Sequence, residues 1–199
     1  MLNQKTIPSG ADIPIQRFQK WFYDKLKTIW TLDDTNYDSY GKVYRNNSAK
    51  GYVPQWFVSS SLIDNTVYKD IFFDKDVHKL VSFFSAGTQR RYVKTGSFNT
   101  PVSMIFIGNA SQIGFSAAWR NFNITWRSTE ELRNDLYNLC EGNRYNLTLE
   151  SSETGYKNVF KEFEGWLEND ALTYMDIQPM FVIRLNFNLL YNIPVNFTL

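Results

Sequence analysis

The feature that most constrains the fold is an alternation of large apolar residues near the end of the sequence. From Phe181 to Leu189 every second residue is large and apolar, which is the period of a β-strand with one buried face. Such a strand belongs in a sheet, so the earlier part of the chain must supply its neighbours. We predict that its apolar row faces the two helices that precede it, through Phe181, Ile183, Leu185 and Phe187.

Five earlier segments are predicted as strands. Residues 37–44 are interpreted as a loop that enters a short strand at about 42–45, and a turn is expected at 74–76. Pro54 places the second strand at a sheet edge or at its own start, because proline has no N–H to donate. Residues 102–107 are nearly all apolar, which is typical of a central strand covered on both faces. The remaining predicted strands cover residues 52–58, 68–73 and 78–84.

The first helix is predicted from residue 12 to about residue 30. Asp12 is a candidate N-cap, and Pro14 suits the first turn, where a missing N–H costs nothing. Its apolar residues recur at helical spacing and are Ile15, Phe18, Phe22, Leu26 and Ile29.

Two more helices are predicted after the central strand. Ser128 and Glu131 form a capping box, and Gly142 is a natural stop. The second of these helices is expected from residue 154 to residue 168. Their apolar stripes are Leu132, Leu136, Leu139 and Cys140 in one, and Tyr156, Val159, Phe160 and Phe163 in the other.

The predicted order of helix, five strands, two helices and strand indicates an α+β fold. It has a mainly antiparallel sheet with an N-terminal helix and two late helices packed on it. Neither a repeat nor a Pro/Gly/Ser-rich linker divides the sequence, so residues 1–199 are predicted to form a single domain. Residues 87–101 are polar and are expected to project from the sheet as a long hairpin loop.

That predicted loop carries a basic run with an interleaved ring: Arg90, Arg91, Tyr92 and Lys94. Three interpretations are open for it, namely a solvated loop, a contact with another subunit, or a contact with phosphates.

Charge is unevenly distributed along the chain. The net charge is +3 for residues 1–60, +4 for residues 61–127 and −6 for residues 128–199. Solvated helix faces explain this pattern, and so does an assembly in which like subunits meet with opposite potentials.

The sequence argues against several kinds of chemistry. One Cys and one His exclude a disulfide framework and a zinc site built from several such ligands. Neither a secretion signal nor an apolar span long enough for a membrane helix is expected. Nucleotide-binding glycine motifs are also missing. We therefore predict no catalytic, cofactor-binding or metal-binding residues, and no enzyme.

Individual candidates for chemistry have simpler interpretations. His78 and the hydroxyls of residues 59–61 lack a nucleophile-elbow motif. Asp70, Asp74 and Asp76 do not have the Asp-x-Asp-x-Asp-Gly spacing with a later Glu that a calcium-binding loop needs. We therefore interpret them as part of a solvent-exposed turn. Cys140 lies on an apolar stripe and reads as a small buried hydrophobe. Helix caps and solvent-exposed helix faces account for Glu130, Glu131, Glu162, Glu164 and Glu168.

Aromatic residues are abundant, with six Trp, twelve Tyr and sixteen Phe, or 17% of the chain. Rings anchor cores and protein interfaces, and they also form sugar-stacking platforms. A carbohydrate- or receptor-binding module is therefore one function that this composition favours. The candidate platform residues are Trp21, Trp30, Trp56, Trp119, Trp126 and Trp166.

Three segments in order resemble a known family. They are residues 72–77 (FFDKDV), residues 103–106 (SMIF) with 127–136 (RSTEELRNDL), and residues 176–181 (DIQPMF) before the last strand. The likeness spans about residues 68–190, differs at 108–123, and is to the neck or tail ring proteins of tailed bacteriophages. Within that group it is most similar to those of crAss-like phages, which resemble tail-terminator proteins.

The resemblance implies a structural virion protein, not an enzyme and without a cofactor. Its subunits would form a homo-oligomeric ring between head and tail, beside other neck, tail or portal-associated proteins, with the genome passing through the lumen. The protein would be made in the bacterial host cytoplasm and would end in the virion. For Arg90, Arg91 and Lys94 we expect carboxylates of a neighbouring subunit, with non-specific contact to lumen DNA as the alternative.

Overall fold

The computed structural model describes residues 1–6, 8–48, 51–57, 68–88, 90–92, 97–113, 127–141, 143, 145–163 and 179–192. These residues form three helices and nine strands. The helices are α1 (Asp12–Ile29), α2 (Thr129–Glu141) and α3 (Tyr156–Val159). The strands are β1 (Leu2–Asn3), β2 (Tyr37–Ser48), β3 (Gly51–Phe57), β4 (Tyr68–Asp70), β5 (Leu80–Ala86), β6 (Arg90–Tyr92), β7 (Ser97–Asn109), β8 (Leu147–Thr154) and β9 (Met180–Asn192).

All nine strands belong to one mostly antiparallel sheet. The main path runs β4-β3-β2-β5-β7-β9-β8, with β1 beside β2 and β6 beside β7. Only the β1–β2 and β2–β5 pairs among the described strands are parallel. The α+β fold with a mainly antiparallel sheet, an N-terminal helix and two late helices is confirmed.

The first helix packs its predicted apolar stripe against one face of the sheet, which we call the α1 face. Phe18 lies edge-on to Phe84 of β5 and to Phe187 of β9, with ring centroids 6.2 and 5.5 Å away. Ile29 is an exception, since it is 41% exposed while the next residue, Trp30, is buried. The prediction of Asp12 as the N-cap was also wrong, because Asp12 is itself the first residue of α1. Its carboxylate accepts a hydrogen bond from the Lys5 ammonium group over 2.6 Å.

Helix α2 begins at the predicted capping box. The Ser128 N–H donates to the Glu131 carboxylate over 2.8 Å, and the Glu131 N–H donates to the Ser128 hydroxyl over 3.2 Å. Leu132, Leu136 and Cys140 are buried in the core that α1 also covers. Helix α2 therefore shares the α1 face.

Strand β9 lies between β7 and β8, and residues 181–185 in its first half are all buried. Its apolar row, including Leu185, packs in the α1-face core, whereas Val182 belongs to a second core on the opposite face. The expectation that this row faces both late helices was therefore wrong. Only α2 joins α1 there, while Val159 of α3 packs in the second core, so we call that side the α3 face.

The predicted helix over residues 154–168 is much shorter. Thr154 still pairs with Ile183 in the sheet, and Gly155 then turns the chain with a positive φ of 81°. Helix α3 makes a single turn before a further turn ends at Phe163, and residues 164–178 lie outside the described residues. One turn is enough to place Val159, Phe160 and Phe163 in the second core.

The strand boundaries differ from the expectation at several places. Strand β2 begins at Tyr37, where a loop was expected, because β1 and β5 pair with it on either side. Strand β4 ends at Asp70, and strand β8 was not predicted. The sequence of β8 lacks the apolar alternation of a strand with one buried face, because most of its residues are polar and half-exposed or exposed.

The central strand was predicted correctly, since residues 102–108 are all buried in β7. However, β7 begins at Ser97, within the predicted projecting loop. Residues 97–101 pair with β9, and β6 adds a short third strand opposite residues 97–99. Within the segment 87–101, residues 90–92 and 97–101 are therefore both strands of the sheet, and residues 89 and 93–96 lie outside the described residues.

Candidate interaction surface

The two ends of the main strand path are open sheet edges. Strand β4 lies at one end and β8 at the other, and no described strand pairs with the outer edge of either. Six strand spacings of about 4.8 Å separate them, or roughly 29 Å. An unpaired edge exposes backbone N–H and C=O groups that another chain can bind.

The β4 end is aromatic. The Tyr68 ring is 43% exposed and lies edge-on to Phe57 and Tyr44, with centroids 5.4 and 5.5 Å away. Asp70, at the end of the strand, accepts a hydrogen bond of 2.7 Å from the Gln55 amide. The three rings therefore form a small partly exposed cluster at the edge of the sheet.

The same end is basic. Lys69 is exposed in the middle of β4, and Arg45 stacks on Tyr52 with its guanidinium carbon 3.3 Å from the ring centroid. Lys42 lies over the Tyr44 ring at 5.3 Å. No carboxylate of the described residues pairs with these three cations.

A fourth cation nearby, Lys5, already has partners within the subunit. Its ammonium group is nearly buried and donates to Asp12 and to the Tyr44 hydroxyl over 2.6 and 2.5 Å. Burial lowers the pKa of Lys5, but these two contacts outweigh it and hold the pKa above its usual value. Lys5 therefore joins α1 to β2 and is not available to a partner.

The β8 end is acidic. Glu150 is exposed at a bulge between Leu149 and Ser151, and Glu141 is exposed at the end of α2. Neither carboxylate has a cationic partner among the described residues. The same end also carries the exposed cation Lys157, in α3.

Glu153 of β8 is already paired. Lys161 donates to its two oxygens over 2.8 and 3.0 Å, and the Asn186 amide donates over 3.0 Å. Burial raises the pKa of Glu153, but these contacts outweigh it and lower the pKa. Glu150 and Glu141 are therefore the acidic groups that this end offers to a partner.

A groove of about 430 Å³ lies on the α3 face beside β8. It is lined by Thr88, Asn99, Pro101, Glu150 and Asn188. Amide and hydroxyl side chains can donate and accept hydrogen bonds in such a groove, and Glu150 is its charged member.

The predicted basic loop residues occupy defined register positions. Arg90, Arg91 and Tyr92 form β6 and lie opposite Asn99, Phe98 and Ser97 of β7. Lys94 lies outside the described residues. The structure thus brings the first three onto one short strand.

His78, the single histidine, has a structural role. Its Nδ1 accepts the Asp74 N–H over 3.0 Å, and its Nε2 lies 3.3 Å from the Asp38 carboxylate. Burial raises the pKa of Asp38, but contacts with His78 and the Met1 amino group outweigh it and lower the pKa to about 2. Both ring nitrogens are thus used to hold the turn before β5 against β2.

The acidic candidates are likewise explained by local contacts. Asp74 accepts the Asp76 N–H over 2.9 Å, Glu131 caps α2 and Glu130 pairs with Arg133. Glu162 binds Ser85 and Arg184. Among the described residues, no three His, Cys, Asp or Glu side chains are grouped to hold a metal ion.

The single cysteine is buried, as the apolar stripe predicted. Cys140 lies in the α1-face core, and burial raises the pKa of its thiol to about 12. A thiol with so high a pKa is a poor nucleophile at neutral pH.

Three of the six tryptophans can be placed. Trp30 is fully buried and donates its indole N–H to Asp135 over 2.8 Å. Trp21 and Trp56 are partly buried against the two cores. Trp119, Trp126 and Trp166 lie outside the described residues, as do the hydroxyls of residues 59–61. Of the described tryptophans, Trp30 is therefore a core residue, and Trp21 and Trp56 pack at the margins of the two cores.

Sequence reasoning identified the charge asymmetry but not its location. The open edges at β4 and β8 depend on strand order, which no local pattern encodes.

In the described part of the chain, no helix combines the length and apolar character of a membrane span. Comparison with protein-family models and with curated proteins finds no match to this chain.

Proposed function

We propose that this protein is a ring-forming structural subunit of the neck or tail of a tailed bacteriophage, similar to a tail terminator. Copies of the chain would form a closed homo-oligomeric ring that lines the genome conduit at the head-to-tail connection. The observation that carries this proposal is the placement of a basic open sheet edge and an acidic open sheet edge at opposite ends of one subunit.

A closed ring needs two different, complementary patches on each subunit, because each contact is head-to-tail. A two-fold dimer instead uses one self-complementary patch twice. Lys69 and Arg45 at one end and Glu150 and Glu141 at the other are repulsive when like ends meet and attractive when unlike ends meet. The charge distribution therefore supports ring closure over a two-fold dimer.

The aromatic residues also support a structural role. Phe18, Phe22, Phe84, Phe106, Phe181 and Phe187 all lie in the α1-face core. Among the described residues, many aromatic side chains thus build the core of the subunit, while Tyr68 in β4 and Phe72 after it are exposed.

The basic run of the predicted loop forms the second part of the proposal. In the ring, Arg90, Arg91 and Lys94 would pair with carboxylates of the neighbouring subunit. A conduit that must let DNA slide gains little from strong phosphate contacts. A structure of the assembly tests this: these cations should lie within about 6 Å of carboxylates of another subunit, and larger distances throughout would exclude the neighbour contact.

Two measurements test the proposed function. Negative-stain images of the purified protein should show rings with a central hole. Mass spectrometry of purified particles of the phage that encodes the chain should detect it in the virion. A protein that is strictly monomeric and also missing from virions would rule the proposal out.

The groove beside β8 favours one other candidate function, a carbohydrate-binding module. Its amide and hydroxyl lining, including Asn188 and Thr88, could bind sugar hydroxyls. Glycan-array binding by the monomer, lost on Asn188→Ala and kept on Thr148→Ala, would support this function and count against the ring.

A further inference from the structure

We infer that the β4 edge of one copy binds the β8 edge of the next copy, so that the sheet continues from subunit to subunit. This inference rests on the proposed ring and names its contact. The occupant of each edge is a second copy of this chain, presented in head-to-tail orientation.

The first step is that both edges are available in the described structure. No described strand covers the outer side of β4 or of β8. All three residues of β4 are exposed, and Thr148, Glu150 and Ser151 are exposed in β8. Pairing these edges would satisfy backbone groups on both sides of the contact.

The second step is that the opposite charges lie on the same face of the sheet. Lys69 is the cross-strand partner of Trp56, which packs against the second core on the α3 face. Glu150 lines the groove with Asn188, also on the α3 face. In a sheet that continues across the contact, Lys69 of one copy is therefore on the correct side to meet Glu150 of the next.

The third step is that the shape of both edges favours one specific partner over general strand pairing. Strand β4 has three residues, and β8 is interrupted by the bulge at Glu150. Short and bulged edges resist indiscriminate strand pairing. Backbone pairing alone is thus too short to define the contact, and the charged side chains select the partner edge.

Charge reversal at each edge tests the contact. Lys69→Glu and Glu150→Lys should each place like charges together, and each should raise the concentration needed for half-assembly by roughly tenfold or more. Native mass spectrometry and light scattering over a concentration series measure this. Lys25→Glu, an exposed change in α1 away from both edges, is the matched control and should leave assembly unchanged.

Mixing the two variants distinguishes a broken contact from a broken fold. Lys69→Glu chains alternating with Glu150→Lys chains have opposite charges at every contact, so an equimolar mixture should assemble at a lower concentration than either variant alone. The double variant in one chain should also regain assembly. Neither rescue is expected if the substitutions merely unfold the subunit.

The outcomes separate this inference from the proposed function. Rings that form normally with Lys69→Glu or Glu150→Lys would overturn the edge contact and leave the ring standing. If both single variants assemble poorly and neither the mixture nor the double variant regains assembly, the edge contact would also be overturned. A chain that stays monomeric up to its solubility limit overturns the self-contact, and its detection in virions then decides the proposed function.

Discussion

The guanidinium of Arg184 in β9 donates to the hydroxyl of Ser103 in β7 over 2.8 Å, joining the two central strands on the α3 face. Arg184 is 4% exposed and also donates to the Val159 carbonyl over 3.2 Å and to the Glu162 carboxylate. This one side chain therefore holds α3 and the turn after it against the sheet.

Glu162→Ala should destabilise the protein more than Arg184→Met. Burial raises the pKa of Glu162, but hydrogen bonds from Ser85 and Arg184 outweigh it and lower the pKa. Removing the carboxylate leaves the buried Arg184 guanidinium without a counter-charge, whereas methionine removes that charge. Because the Glu162 side chain is 39% exposed, water offsets part of the loss, and we expect a cost of about 1–2 kcal/mol. Urea unfolding should show that the double variant loses less stability than the sum of the two single variants, and strict additivity would contradict this.

Leu185→Ala should lower the free energy of unfolding by about 2–5 kcal/mol. Leu185 is fully buried in the α1-face core, so truncation leaves a cavity. Leu190→Ala, in the same strand, is the control because Leu190 is 49% exposed. Its unfolding free energy should change by about 0.5 kcal/mol or less, and equal losses for the two variants would refute the assigned face.

Ser128→Ala should lower the unfolding free energy by about 1 kcal/mol, since it removes the hydroxyl that accepts the Glu131 N–H. Glu130→Ala is a control from the same turn, because it removes only the surface pair with Arg133. The prediction fails if thermal unfolding gives the two variants the same midpoint.

Gly108→Ala should destabilise the protein by about 1–3 kcal/mol. A Cβ at position 108 would lie 2.6 Å from the Phe181 ring and 3.0 Å from the Lys79 carbonyl. Gly41→Ala is the control, because its Cβ would meet Gln19 at an ordinary 3.5 Å. Chemical unfolding that ranks the two changes in the opposite order would contradict the close packing at Gly108.

Stability should fall at acid pH through Asp38. The pKa of this carboxyl is lowered to about 2 in the folded chain, against about 3.9 when unfolded. The contribution of Asp38 is therefore complete above about pH 4 and is lost as pH falls towards 2.

Asp38→Asn tests this pH dependence. It should cost about 2 kcal/mol at pH 7 and have much less effect at pH 2. Asp24→Asn, at an exposed surface pair with Lys20, is the control and should cost about 0.5 kcal/mol or less at pH 7. A pH-independent loss for Asp38→Asn would point to packing instead of charge.

Local patterns determined the parts of the fold that depend on neighbours along the chain. Ser128 and Glu131 lie three residues apart and cap α2 by themselves, and Ile15, Phe18, Phe22 and Leu26 lie on one side of α1 whatever it packs on. The alternation in β9 and the apolar run in β7 likewise identified two central strands. These features need only the periods of a helix or strand and short-range hydrogen bonds.

Tertiary structure decided what depends on residues far apart in the chain. Tyr37 starts a strand because β5 pairs with it, and Thr154 stays in β8 because Ile183 lies opposite. The same pairing order put Lys69 and Glu150 at opposite ends of one sheet. Net charge along the sequence does determine that one part is basic and another acidic, but only long-range strand pairing decides which edges carry those charges, because pairing energy depends on the whole sheet.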